Sequence, residues 1–163
     1  MTDPELPDAV EALADQLRDE VGAVVASLLS LFGPAAAEEV TRLDDLVHTR
    51  ARTWALELLG DDDRIAADTV IGLAPVLWPG QCEPVIDWAS PLGRAIARSV
   101  GHPTAQEVTY SVAGAMLGVT KQRVGQWVKD GRLRVGEHGG VASDTIGLLL
   151  RARADEARRP VEA

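Results

Sequence analysis

Lys121, Gln122, Gly125, Gln126 and Lys129 are separated by one, three, one and three positions. On a helix turning by about 100° per residue they share one face. A glutamine side chain can donate and accept hydrogen bonds as a pair, and a lysine ammonium can donate them. A glutamine amide matches the paired donor and acceptor on the edge of adenine, and a lysine ammonium can reach guanine acceptors or phosphate. Gly125 would let such a helix lie close to the floor of a groove. Thr120, Arg123, Arg132 and Arg134 flank this face and are better placed for phosphate oxygens than for base edges. The plain alternative for Lys121, Arg123 and Lys129 is a solvated helix face.

The surrounding stretch, VTYSVAGAMLGVTKQRVGQWVKDGRLRV from Val108 onward, would hold that face in place. It reads as a helix, a three-residue turn and a second helix. Ala113, Gly114 and Leu117 before the turn, and Val119, Val124 and Trp127 after it, fall where two steeply crossing helices must touch. Gly114 allows close backbone approach, and Gly118 supplies the turn conformation at little steric cost. Thr120 is placed to cap the second helix, and Gly131 stands where a C-terminal cap belongs.

At these residues the sequence resembles the helix-turn-helix of bacterial transcription regulators, most closely the winged form of the MerR and excisionase group. The resemblance implies that Thr109 caps the first helix, that residues 121–130 form a DNA recognition helix, and that RLRVGEHGGVAS forms the wing. It covers about the last third of the chain. MerR regulators place the DNA-binding module first and the dimer helix last. The order here is reversed, so effector sensing of the MerR kind is not implied, and any small-molecule effector is unknown. Within the wing, Leu133 and Val135 alternate with arginines as one strand, residues 137–140 turn, and Val141 returns as the partner strand. The wing tip lacks Lys and Arg, which leaves His138 or backbone N–H groups as its means of contacting phosphate. Ser143 or Asp144 should cap a final helix through Ile146, Leu148, Leu149 and Leu150. Its basic end, RARADEARR, either docks on the module or trails into solvent.

The chain has 163 residues, 46% apolar and 25% charged, an ordinary globular balance with room for one or two small domains. A net charge of −9 opposes nucleic-acid binding at first sight, but the charge is divided unevenly. Residues 1–103 hold 7 Lys or Arg against 18 Asp or Glu, whereas residues 104–163 hold 9 against 7, a net of +2. Such asymmetry is expected of a DNA-reading module on an acidic carrier. One cysteine, Cys82, cannot make an internal disulfide, so a reducing cytoplasm is the expected setting. The acidic start, MTDPELPDAV, lacks the basic opening of a signal peptide. The longest apolar run, VGAVVASLLSLF, is too short for a membrane-spanning helix.

From the N-terminus, Pro7 or Asp8 should open an amphipathic helix whose stripe runs Val10, Leu13, Leu17, Val21, Val24, Leu28 and Leu31. Gly33 and Pro34 stop it. A second helix, residues 35–59, carries Val40, Leu43, Val47, Trp54 and Leu58 and completes an antiparallel hairpin. Its stripes are long enough to need further helices or a second subunit. The three aspartates at 61–63 read as a charged start to a third helix, bent or closed by Pro75, rather than as a metal site. WPGQCEP is a loop. PVIDWAS should form a short helix, and Ser90 with Pro91 should start another that ends at Gly101. GHPTAQE marks a boundary, with Thr104 and Glu107 at capping-box spacing.

The usual marks of metal, phosphate-loop or acyl chemistry are missing, and His48, His102 and His138 are scattered. The four tryptophans, Trp54, Trp78, Trp88 and Trp127, suit core packing, with a ligand pocket among them the alternative. The expectation is a mainly α protein without cofactor, metal or catalytic residues. Residues 1–103 form an acidic helical domain for self-association, and residues 104–163 a winged helix-turn-helix with a small β-hairpin. Its partners are double-stranded DNA and a second copy through the N-terminal helices, with no membrane. The role is cytoplasmic, nucleoid-associated transcription regulation as a homodimer. The rival is an interaction module in which the helix pair and the acidic surface bind a protein.

Overall fold

The computed structural model describes residues 6–80 and 84–158, and the expectations for Cys82 and for the extreme termini lie outside them. The fold is mainly α, with one small antiparallel sheet. The chain divides into two compact units between residues 81 and 82.

Among the described residues, the first unit has three α-helices. Helix α1 spans Leu6–Phe32. Gly33, at φ 71°, ends it, and a single 3-10 turn at Pro34–Ala36 leads into α2, Ala37–Leu59. The Gly-Pro pair acts as expected, because the glycine takes a backbone angle that other residues avoid and proline cannot continue the hydrogen-bond ladder. Helix α3, Asp63–Leu77, is opened by Asp62, whose carboxylate accepts from the Arg64 and Ile65 N–H groups at 3.0 and 3.1 Å. Removing that cap with Asp62→Ala should cost about 1 kcal/mol of stability in chemical denaturation. A loss below a few tenths would show that the aspartate run is only solvated charge.

The stripes of α1 and α2 are buried over half their length. Val10, Leu13, Leu17 and Val21 pack against Val47, Ala51, Ala55 and Leu58 of α2 and Ala66, Val70 and Leu73 of α3. Beyond Val21 the α1–α2 hairpin is uncovered. Val24, Leu29 and Leu43 are exposed, and Leu31 and Phe32 keep 75% and 65% of their surface in solvent. Trp54 borders an open cavity of about 450 Å³ that Arg50, Glu57 and Thr69 also line.

In the second unit, residues 84–90 form no helix. Asp87 makes a turn instead, accepting from the Ala89 N–H through Oδ1 at 3.0 Å and from the Ser90 N–H through its carbonyl at 3.0 Å. The proline at 91 favours an extended Ser90, at φ −68° and ψ 158°, which prevents a continuous helix. Helix α4, Pro91–Val100, starts there with the Ser90 hydroxyl accepting from Gly93 N–H, and ends at Gly101 as expected. Although α4 was expected in the N-terminal domain, it belongs to the second unit and shares an apolar core with the C-terminal elements. Ala97 joins Val108, Met116, Leu117, Val124, Trp127, Val141 and Ile146 in one cluster. The unit boundary therefore falls near residue 81 rather than at 103.

The capping box at Thr104 and Glu107 does not form. The His102 ring accepts from Ala105 N–H at 3.0 Å and folds the linker, while Glu107 enters strand β1, Glu107–Val108. Helices α5, Tyr110–Leu117, and α6, Lys121–Lys129, follow, then strand β2, Val141–Ala142, and helix α7, Ser143–Arg158. The expected pairing of Val141 with Val135 forms as a short antiparallel bridge, flanked by bonds from Ala142 N–H to the Arg134 carbonyl and from Gly136 N–H to the Gly140 carbonyl at 2.9 and 2.8 Å. Val141 and Ala142 also pair with Val108 and Glu107, a partner strand that the hairpin expectation did not include. Among the described residues, no helix is long and apolar enough to cross a membrane.

Candidate nucleic-acid interface

Helices α5 and α6 are held at both ends by local chemistry. The Thr109 hydroxyl accepts from Val112 N–H at 3.2 Å, and the Thr120 hydroxyl from Arg123 N–H at 3.3 Å. Gly118 has the left-handed conformation, φ 66°, and a Cβ on Gly114 would stand 2.7 Å from the Val119 carbonyl oxygen. Both glycines are thus required by the turn. At the far end of α6, Gly131 N–H donates to the Val128 carbonyl and Arg132 N–H to the Trp127 carbonyl, at 3.1 and 2.8 Å. This paired pattern, with Gly131 at φ 73°, satisfies the orphan carbonyls that end a helix.

Val124 and Trp127 face inward and are buried, Trp127 to 3% exposure. The opposite face presents Lys121, Gln122, Gln126 and Lys129 to solvent, with Arg123 on one flank. Gly125 stands apart from the outermost residues. It is half buried, and the edge of the Tyr110 ring lies 4.0 Å from where its Cβ would be. Two of the polar groups already have partners. Gln126 Nε2 donates to Asp130 at 2.7 Å, and Arg134 Nη2 donates to both carboxylate oxygens of Asp144 at 2.9 and 2.8 Å. Arg132 leans over Trp127, its guanidinium carbon 5.5 Å from the ring centroid.

The loop from Gly136 to Gly140 closes around the Glu107 carboxylate. His138 N–H donates to it at 3.1 Å, Gly140 N–H at 3.2 Å, and His138 Nδ1 lies 3.1 Å away. A Cβ on Gly136 would overlap the Glu107 side chain. The backbone N–H groups of His138 and Gly140 thus point to Glu107, which corrects their expected use toward an external phosphate. Partial desolvation pushes the Glu107 carboxyl up, but hydrogen bonds from His138, Gly140 and Glu137 together outweigh it and leave the group below its ordinary value. A carboxyl depressed in this way contributes stability that is complete above its unfolded pKa and is lost as pH falls through the folded one. Protection of the His138 and Gly140 amides from hydrogen exchange should therefore hold at neutral pH and fall only in acid, as the pH drops through the lowered folded-state value of Glu107. In Glu107→Gln that acid-dependent step should be absent. Equal acid profiles for the two proteins would contradict this role.

Glu107 and Arg153 are the residues that sequence reasoning missed. The signal for Glu107 was a lone acid facing three loop glycines far along the chain. Arg153 lies on the inward face of α7, two helical turns beyond buried Ile146, and its guanidinium carbon sits 4.3 Å from the Trp127 ring centroid. Arg151 Nη1 donates to the Arg98 and Ser99 carbonyls at 3.0 Å, so at these two arginines the basic end of α7 docks. Among the described residues, no group of three or more metal-ligating side chains comes together. Compared with protein-family models, curated proteins and solved structures, the chain matches none.

Proposed function

We propose that the C-terminal unit is a winged helix-turn-helix of the MerR and excisionase type that binds double-stranded DNA with sequence selectivity. We further propose that the protein acts as a homodimer in transcription regulation on the nucleoid. The observation that carries this reading is the solvent-facing set Lys121, Gln122, Gln126 and Lys129 on a short helix capped at both ends. Pre-set glutamine and lysine side chains on a rigid helix can meet base edges with little ordering cost. The charge division supports it. Residues 1–81 hold 5 Lys or Arg against 16 Asp or Glu, whereas residues 82–163 hold 11 against 9, so positive charge gathers in the unit that carries α6.

A single module makes few phosphate contacts, so affinity at physiological salt requires two copies on one duplex. The uncovered half of the α1–α2 hairpin suits that need, since Val24, Leu29, Leu31, Phe32 and Leu43 form an apolar end of the kind that marks association. Leu31→Glu with Phe32→Glu should convert a dimer to a monomer in sedimentation velocity while helicity is retained. A double variant that sediments like the parent would remove this surface from the interface. The reading calls for no cofactor and assigns no effector.

Selection of bound duplexes from a random pool, followed by anisotropy titration at several salt concentrations, tests the central reading. Salt-dependent, sequence-selective binding supports it. A second reading, docking of a protein partner on the helix pair, draws on the engagement of Gln126 by Asp130 and Arg134 by Asp144. Absence of salt-dependent binding to any duplex would favour it.

A further inference from the structure

We propose that Arg123, Arg132 and Arg153, gathered on the Trp127 ring, form a phosphate clamp that grips the DNA backbone beside α6. The inference rests on the DNA-binding reading and adds a residue from α7 to it. The three guanidinium carbons lie 5.4, 5.5 and 4.3 Å from the centroid of the same indole. They come from three places in the chain: the body of α6, the turn that follows it, and the inner face of α7. Chain connectivity alone does not bring Arg153 there; the packing of Ile146 into the core does.

Three cationic groups meet on one ring at this patch. Arg18, Arg42, Arg52 and Arg134 each meet a carboxylate within 4.0 Å. Among the described residues, Arg123, Arg132 and Arg153 meet no carboxylate within 4.0 Å. Burial draws the Arg153 guanidinium below its ordinary pKa, and the charges of Arg132 and Arg123 draw it further, opposed by Glu156. Attraction to the aromatic face offsets part of this repulsion. An anion placed among the three would offset the rest.

Phosphate is the anion that fits. Guanidinium groups present planar pairs of N–H donors that match its oxygens, and three of them can share one tetrahedral group from different sides. Arg123 lies one helical step from Gln122 on α6. A backbone phosphate held there would therefore sit beside any base that the glutamine reads, fixing the register of the helix on the duplex. Trp127 keeps the donors in place, since its ring is locked in the core and cannot swing with the ligand.

The test is an anisotropy titration of the full chain with a selected duplex and a scrambled duplex, across a salt series, for the parent, Arg153→Gln and Arg153→Lys. Arg153→Gln should weaken binding to both duplexes by a similar factor and make the logarithmic salt slope shallower by about one. The consensus selected from a random pool should not change. Arg153→Lys, which keeps the charge but not the planar stacking, should retain the slope and lose part of the affinity. It also keeps the test informative should the glutamine variant fold poorly. If the parent binds DNA and neither variant differs from it in slope or affinity, the clamp is overturned while the DNA reading stands. If the parent binds no duplex, both fall together. Arginine side-chain NMR shifts on adding inorganic phosphate would then assign the patch to free phosphate instead.

Discussion

Replacing Lys121 and Gln126 together with glutamate is expected to weaken binding to a selected duplex by about a hundredfold or more. Each base-edge contact of this kind contributes roughly 1–3 kcal/mol of discrimination. Losing two of them costs about 2–6 kcal/mol, or roughly one and a half to four factors of ten. Two new negative charges against phosphate should add to the loss, most strongly at low salt. Stability should hardly move, because both side chains are exposed and surface changes fall within about 0.5 kcal/mol. Among the described residues, the internal contact affected is the Gln126 bond to Asp130. Melting and titration measured on the same samples decide the matter. Unchanged affinity would remove α6 from the interface, and a loss of affinity that tracks unfolding would leave the face without a demonstrated role.

The second large effect concerns Trp127. Trp127→Ala should destabilise the C-terminal unit by about 3–5 kcal/mol, the usual cost of deleting a large buried aromatic side chain. The indole is 3% exposed and packs in the cluster of Val124, Leu133 and Ile146. It is also the surface on which Arg123, Arg132 and Arg153 lie, so its removal leaves three like charges over a void. Hydrogen exchange should report loss of protection in α5, α6 and α7 together. Trp127→Phe, which keeps an aromatic face, should lose far less. A cost below about 1 kcal/mol for the alanine variant would mean that the ring packs on the surface of its unit rather than within it.

Much of the helix pair was legible because its determinants are local. Thr109 and Thr120 act within three residues of themselves, Gly118 and Gly131 set backbone angles at their own positions, and Gly114 meets a carbonyl five residues away. The stop at Gly33 and Pro34 and the starts at Asp62 and Ser90 were readable for the same reason. Periodicity placed Leu13, Leu17, Val47 and Leu58 in the core. It could not say where cover would end, since Val21 and Leu31 occupy one stripe and differ only in whether α2 and α3 reach them.

Pairing was less legible. Val141 pairs with Val135, its near neighbour in the chain, but it also lies against Val108, because the linker folded by His102 brings β1 alongside. That same approach places the Glu107 carboxylate under the loop at 136–140. The N–H groups expected to face solvent then have an internal acceptor. The tip of the loop was read correctly as lacking Lys and Arg, but the acid that holds it was taken for a helix cap.

The amino-acid order thus determined by itself the stop at Gly33, the starts at Asp62 and Ser90, the turn between α5 and α6, and the polar composition of the outward α6 face. These depend on bond angles and hydrogen bonds within a turn or two. The tertiary structure alone decided that α4 packs with the C-terminal elements, that β1 pairs with β2, and that Arg153 joins Arg123 and Arg132 on Trp127. Those outcomes rest on apolar burial between segments tens of residues apart, and burial is non-directional and carries no mark in the spacing of either segment.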